Sequence, residues 1–418
     1  MKISLLLKRE PFAKILEETL SSFLSEYYDA RYTVKWFTKD QRRNTASIGT
    51  GQWWICNPLI NSIYAEGAKD VPFNAIMHEY TTNPIKPWRS ILQRFYIYLA
   101  TKTKISSTLV PYFLLISPEI NNFSGILIIG GNNKIRVIDS ACNTVFVILK
   151  KGFDKKYLER EIQIRQEYDN IPVPPIKQTG KTGWYSERMI SGGCSPDRMN
   201  KDIGDQILIE TSRKIHQLLI ATAQEEGLGI YINKMVASIK DKLKKIAQIS
   251  VDQKRNILQA TETLVRVLEK NADFEADKMH TAITHGDFQM SNILYDGETA
   301  WILDWEFSRR RQVGNDILVL ILMPRNPKGF NRRFLNLLYN EPEGINKQML
   351  TCWPFLDWKD HDARKISLIL FLLEETDFLL EENENPFFHG ETLGLSPFMS
   401  ELQQVIQNLT EGYTCIQN

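Results

Sequence analysis

Three hard oxygen donors stand near one another in the last third of the chain. His285-Gly286-Asp287-Phe288-Gln289-Met290-Ser291-Asn292 is followed by Trp301-Ile302-Leu303-Asp304-Trp305-Glu306. Asp287, Asn292 and Asp304 fall on loops bounded by short apolar, strand-like runs. Phosphoryl transfer to a hydroxyl needs this set: one carboxylate accepts the hydroxyl proton, while an amide oxygen and a second carboxylate hold Mg²⁺ against a nucleoside triphosphate. The spacing of five between Asp287 and Asn292 is that of a catalytic loop H-x-D-x-x-x-x-N. Residues 293–295 and 300–303 predict a short hairpin that delivers both metal donors to one edge of a cleft. The competing reading gives Asp and Asn in turns only Asx-turn roles.

Such donors need rigid elements upstream. Phe12, Leu16, Leu20, Phe23 and Leu24 recur at helical spacing over 11–27. Residues 32–37 alternate like a strand, the aromatic run Trp53-Trp54-Ile55-Cys56-Asn57-Pro58 follows, and a helix is expected over 88–103. This first third carries no assignable chemistry, and its Trp and Tyr content predicts packing against the rest of the chain. From residue 123 the pattern turns to strands over 125–129, 134–138 and 145–149, joined by Gly130-Gly131-Asn132-Asn133 and by a turn at 139–143. That is a three-stranded antiparallel meander. A charged helix over 154–168, two short strands at 176–180 and 183–190, and Gly192-Gly193 as a hinge come next. Amphipathic helices are expected over 203–225, 231–249 and 252–271, with more after 306. A β-rich lobe, a hinge and a larger helical lobe result.

His285 to Asn292 together with Ile302-Leu303-Asp304-Trp305-Glu306 resembles the aminoglycoside phosphotransferase/choline kinase family, with its H-G-D-x-x-x-x-N and I-D-[FW]-[ED] motifs in the same order and at a similar distance. The resemblance covers about residues 120–330. It implies an α+β, two-lobed protein-kinase-like fold with an N-terminal α/β extension over 1–118, a nucleotide-binding lobe over 119–192 and a helical lobe over 193–418. It implies Asp287 as catalytic base and Asn292 and Asp304 as Mg²⁺ ligands, with ATP or GTP as phosphoryl donor. Lys150, at the end of the third meander strand, would contact the α/β-phosphates, with Lys151 as its rival on the opposite face. Glu161 would fix that lysine by an ion pair, the stretch Arg160-Glu161 … Val173-Pro174 favouring it over Glu159. Gly130 and Gly131 would lie over the phosphates, or form only a turn. Glu187, Arg188 and Met189 would offer backbone groups to the adenine edge. Asp316 matches a downstream Asp that braces the catalytic loop, and His216 matches a helix ending in Leu-His, where a structural histidine is the alternative.

The acceptor is less legible. Glu374, Glu375, Asp377, Phe378, Glu381, Glu382, Glu384, Phe387 and Phe388 are the carboxylates and aromatics that hold cationic acceptors such as aminoglycosides or choline. They equally fit an exposed acidic helix face, which leaves a sugar or other polyol open. Arg309-Arg310-Arg311 fits either an anionic substrate or a solvated face. The reading is a phosphotransferase acting on a small-molecule hydroxyl. Its rivals are a nucleotide-binding pseudokinase or scaffold, and a kinase of a protein or glycan-linked acceptor.

The whole composition agrees with that class. The 418 residues are 43% hydrophobic and 24% charged, with 51 Lys+Arg against 50 Asp+Glu. A disordered chain would be poorer in aromatics and carry more net charge. A dedicated nucleic-acid binder would show a surplus of basic residues. Five scattered cysteines (Cys56, Cys142, Cys194, Cys352 and Cys415) form no C-x-x-C pair, so neither a disulfide framework nor a zinc site is expected. Charges close the N-terminal apolar run before the roughly 7–15 residues of a signal h-region. No stretch reaches the roughly 20 apolar residues of a membrane span. A cytoplasmic protein is expected, with no nucleic-acid partner.

Overall fold

A computed structural model describes residues 2–44, 51–58, 60–73, 91–92, 95–96, 98–99, 108, 110–169, 171–351, 353–389, 392 and 394–411. They form two compact units. The first comprises residues 1–165, 173–194 and 294–301, the second 166–172, 195–293 and 302–418. The helix expected over 88–103, and Cys352 and Cys415, lie wholly or largely outside the described residues.

The first unit is built on one nine-stranded antiparallel sheet: β1 (Thr33–Thr38), β2 (Gln52–Asn57), β3 (Ser62–Ala65), β4 (Tyr112–Ser117), β5 (Ile126–Gly130), β6 (Lys134–Asp139), β7 (Thr144–Leu149), β8 (Ile176–Gly180) and β9 (Trp184–Arg188), in the order β1-β4-β2-β3-β5-β6-β7-β9-β8. The meander β5-β6-β7 stands as its alternation requires. The boundary expected near residue 118, however, separates no compact units. β3 pairs directly with β5, Ile63 opposite Ile128 and Tyr64 opposite Leu127, so the extension continues the same sheet. The helices Ile3–Arg9 and Phe12–Tyr27 cover one sheet face, burying Leu6, Phe12, Leu16, Leu20 and Phe23 with Ile128, Ile135, Val137, Phe146, Ile148 and Trp184. Phe23 contacts Phe146 and Trp184 at ring-centroid distances of 5.3 and 5.4 Å. Glu26, on the same helix, accepts from the Lys181 and Thr182 amides and from Trp184 Nε1 at 2.6, 2.9 and 3.0 Å, which ties the β8–β9 turn to the N-terminal helix. The helix Lys156–Glu167 lies on the other side of the sheet.

The second unit is mainly helical. Its helices are Lys201–Thr222, Leu228–Lys245, Val251–Glu269, Asn315–Leu322, Phe330–Tyr339, Gly344–Thr351, His361–Glu381 and Leu395–Glu411. Several start on side-chain caps: Asn200 accepts from Asp202 N–H, Ser250 and Gln253 form a reciprocal capping box, and Asp360 accepts from Asp362 and Ala363. A small sheet joins β10 (Gln224–Gly227), β11 (Lys278–Thr284) and β14 (Arg309–Gln312). The hairpin β12 (Ile293–Tyr295) and β13 (Ala300–Ile302), whose residues 294–301 count with the first unit, forms as the sequence predicts. Among the described residues no helix is long and apolar enough to cross a membrane.

Removing residues 1–118 strips the cover from Phe146, Ile148 and Trp184 and bares the edge of β5. A fragment 119–418 should therefore lose the cooperative urea transition of the full chain and aggregate. A soluble fragment with an unchanged transition would show that the first strands are dispensable.

Candidate active site

β11 runs into the loop 285–292, and Asp316 fixes where that loop goes. Asp316 is fully buried, and its carboxylate accepts from His285 N–H and Gly286 N–H, both at 2.8 Å. Burial pushes its pKa up, while His285 and the two amides pull the other way. Gly286 sits at φ +81°, and a Cβ there would lie 2.2 Å from Arg311 Nη1 and 2.6 Å from Phe307 O, so only glycine fits. His285 Nε2 lies 2.8 Å from Leu303 O and its Nδ1 accepts from Asp287 N–H at 3.2 Å, so the ring carries its proton on Nε2. Its ring also packs on Trp305, with centroids 4.6 Å apart. Leu303 N–H in turn donates to Asn292 O at 2.8 Å, joining the foot of the hairpin to the loop.

These bonds bring Asp287, Asn292 and Asp304 into one region of the second unit. Asn292 Nδ2 donates to Asp287 O and Oδ2 at 2.8 and 3.1 Å. That orientation turns its Oδ1 away from Asp287. Gln289 Nε2 also donates to Asp287 Oδ2, at 2.9 Å. Asp304 takes the left-handed conformation, φ +64°, immediately before Trp305, whose Nε1 donates to Ile302 O. An amide oxygen and a carboxylate at the two feet of one hairpin are a hard-donor pair suited to Mg²⁺.

Arg325 is the site residue that the sequence did not announce. Its Nε donates to Asp287 Oδ1 at 2.9 Å, its Nη1 pairs with Glu375, and its guanidinium lies 3.7 Å from the Phe378 ring centre. It follows Met323-Pro324 at the end of an apolar helix, and no spacing links it to Asp287. Burial raises Glu375 to about 7, with Asp287 adding to the shift and Arg325 opposing it.

The acidic stretch over 374–381 is neither an exposed face nor a set of open carboxylates. Glu374, Glu375, Asp377 and Glu381 are buried. Glu374 accepts from Tyr231 OH, Gln312 and Asn315 Nδ2. Asp377 pairs with Lys242 and Arg309, and Arg309 also meets Glu381 at 2.7 Å. The arginine run is likewise internal: Arg310 donates to Thr222 O and Thr281 O, and buried Arg311 to Thr284 Oγ1 and Phe307 O. The physical reason is β14, which sets Arg309 against the helix 361–381 and turns Arg310 to the opposite side, toward Thr222 and Thr281.

In the first unit Lys150 and Glu161, expected to pair, each meet other groups. Lys134 and Leu149 are partners in the β6–β7 register and share a face, so Lys150 points to the other one. There Lys150 Nζ pairs with Glu10 at 2.5 Å and donates to Asn132 O at 2.7 Å, beneath the Phe12 ring. Neither side chain of that pair is exposed. Glu161 meets Lys134 at 2.5 Å and Arg165 at 2.9 Å. Lys151 is exposed, with its amide on Thr19 Oγ1. Gly130 is packed by Leu6 and Phe12, where a Cβ would come within 2.8 and 3.2 Å of their side chains, and at Gly131 a Cβ would meet Lys134 O at 2.7 Å. Glu187 is buried and paired with Arg165. Glu187 and Arg188 stand opposite Val145 and Thr144 on an interior strand, and Met189 N–H donates to Asn143 O. That amide is thus committed within the unit rather than offered to a base.

Residues 205–344 match the model of the phosphotransferase enzyme family. That segment is about a third of the chain. The matched span contains the whole Asp287–Asn292–Asp304–Arg325 set. No curated protein matches the chain. Among solved structures, choline kinase LicA from Streptococcus pneumoniae is similar at 12% identity over 70% of this chain and 92% of its own, TM-score 0.43. The corresponding values are 13%, 81%, 94% and 0.42 for an ethanolamine kinase from Plasmodium vivax. For an aminoglycoside-3′-phosphotransferase of type VIII they are 15%, 63%, 92% and 0.35.

Glu375 holds its proton more tightly in the folded chain than in the unfolded one. It therefore favours folding fully below its ordinary value of 4.5, and this contribution is lost as the pH rises through about 7. Glu375→Gln should flatten the dependence of the melting temperature on pH between those values. An unchanged slope would mean that Glu375 titrates normally.

Proposed function

We propose that this chain is a phosphotransferase that moves the γ-phosphoryl group of ATP, or of GTP, to a hydroxyl of a small-molecule acceptor. The observation that carries the reading is the Asp287 carboxylate, oriented by Asn292, Gln289 and Arg325 on a loop whose backbone Asp316 clamps. Asp287 would receive the acceptor proton as the acceptor oxygen bonds to phosphorus and the bond to the bridging oxygen breaks, releasing the nucleoside diphosphate. Asn292 Oδ1 and Asp304 would hold Mg²⁺, which when bound neutralises charge on the β- and γ-phosphates. Lys134, braced by Glu161, takes the role of phosphate-binding lysine that the sequence gives to Lys150.

Two features favour an uncharged polyol or sugar over a cationic amino alcohol. The Arg325 guanidinium lies against the base itself, where it repels a cation. The carboxylates Glu374, Glu375, Asp377 and Glu381 have internal partners rather than an open face.

The test is ³¹P NMR of ATP and of GTP with Mg²⁺ and a panel of sugars, polyols, amino alcohols and aminoglycosides. A phosphomonoester signal is expected with a sugar or polyol, falling about 10²–10⁴-fold in Asp287→Asn, the range for a lost general base. Equal transfer by Asp287→Asn would remove Asp287 from the reaction. Transfer confined to cationic acceptors would overturn the acceptor class alone.

A further inference from the structure

Outside the Asp287 region, the helices Lys201–Thr222 and Gly344–Thr351 border a second cavity of about 400 Å³. That is within the range of small-molecule sites, about 300–1,000 Å³. Ile209, Arg213 and His216 line it from the first helix at helical spacing, and Lys347, Gln348 and Met349 from the second. It shares no residue with the site described above.

Its polar groups have an unusual balance. His216 is only 9% exposed, yet its Nε2 has no hydrogen-bond partner, while the ring packs edge-on to Trp353 with centroids 4.5 Å apart. A buried polar atom left this way is destabilising, and a ligand atom that bonds to it removes that cost. Burial, with help from Arg213, lowers His216 to about 4, so the ring is neutral at pH 7 and can donate from Nε2 in one tautomer. The charge of the cavity then comes from Arg213 and Lys347. Neither makes an ion pair with a described residue, and no carboxylate lines the cavity. Ile209 and Met349 supply an apolar wall.

We infer that this cavity binds a small organic anion, a carboxylate or phosphate group carried on an apolar body. The anionic group would meet Arg213, Lys347 and His216 Nε2–H, and the body would lie on Ile209 and Met349. Gln348 adds an amide at the rim. The leucine-histidine helix read from the sequence thus contributes more than packing.

The test uses the full chain labelled with [¹³Cε1]histidine, whose six histidines give a sparse spectrum in which His216→Gln assigns the relevant signal. Phenyl phosphate and phenylacetate are titrated, with benzyl alcohol and benzylamine as neutral and cationic controls. At least one anion should shift the His216 signal saturably, and calorimetry should show about tenfold weaker binding in Arg213→Met/Lys347→Met, a loss near 1.4 kcal/mol. Preference between the two anions identifies the phosphate or the carboxylate. The controls should leave the signal in place, and the variant's phosphotransfer without anion should match wild type. The inference is overturned if neither anion moves His216, if benzyl alcohol or benzylamine binds as well, or if the double variant binds the anion undiminished. None of these readouts requires turnover, so a failure here is separate from a failure of the phosphotransfer reading.

Discussion

The pleat of the β6–β7 hairpin decides what the lysines of the first unit can do. Successive side chains on a strand point to opposite faces, so fixing Lys134 opposite Leu149 commits Lys150 to the far side. One face then holds Lys134, Glu161, Arg165 and Glu187 in a continuous buried ion network. The other holds Lys150 against Glu10, sealed by the N-terminal helices. Two buried lysines on adjacent strands therefore have different tasks. A buried pair is costly to break, about 3–5 kcal/mol once one partner is lost, so each lysine is held where the register puts it.

The second unit applies the same economy of buried charge around the loop 285–292. Asp316 accepts two loop amides, and the loop's only permissive residue, Gly286, fits against Arg311. The helix His361–Glu381 brings four carboxylates into the interior, where Arg309, Arg325, Lys242 and Tyr231 meet them. Arg325 joins that network to Asp287. The proposed base thus stands at the end of a chain of ion pairs instead of on a free loop. This is electrostatic preorganisation of the kind phosphoryl transfer depends on.

Much of this was legible beforehand. Apolar periodicity located the meander, the helix after it and the helices beyond residue 200, and the coupled Asp, Asn and Asp spacing located the loop and hairpin. Partners set by tertiary packing were not legible. Nothing local ties Glu10 to Lys150 across 140 positions, or Arg325 to Asp287. Acidic residues 374–381 read as a surface because their cations come from β14 and from Lys242 and Arg325. Lys134 was within reach: the alternation Lys134, Arg136, Ile138 sets it on the face opposite Ile135 and Val137, which pack under the N-terminal helices. The fusion of the first 118 residues into the same sheet had no sequence signal, since strand order depends on long-range pairing.

The claim most exposed to contradiction is that register, and not position at a strand end, assigns the phosphate-binding lysine. Calorimetric titration of a non-hydrolysable ATP analogue with Mg²⁺ tests it directly, using Lys134→Met beside the double variant Glu10→Met/Lys150→Met, which replaces the buried pair with apolar groups. The account predicts about tenfold or greater loss of nucleotide affinity in Lys134→Met and wild-type affinity in the double variant. Wild-type affinity in Lys134→Met, with the loss falling on a folded double variant, would contradict it.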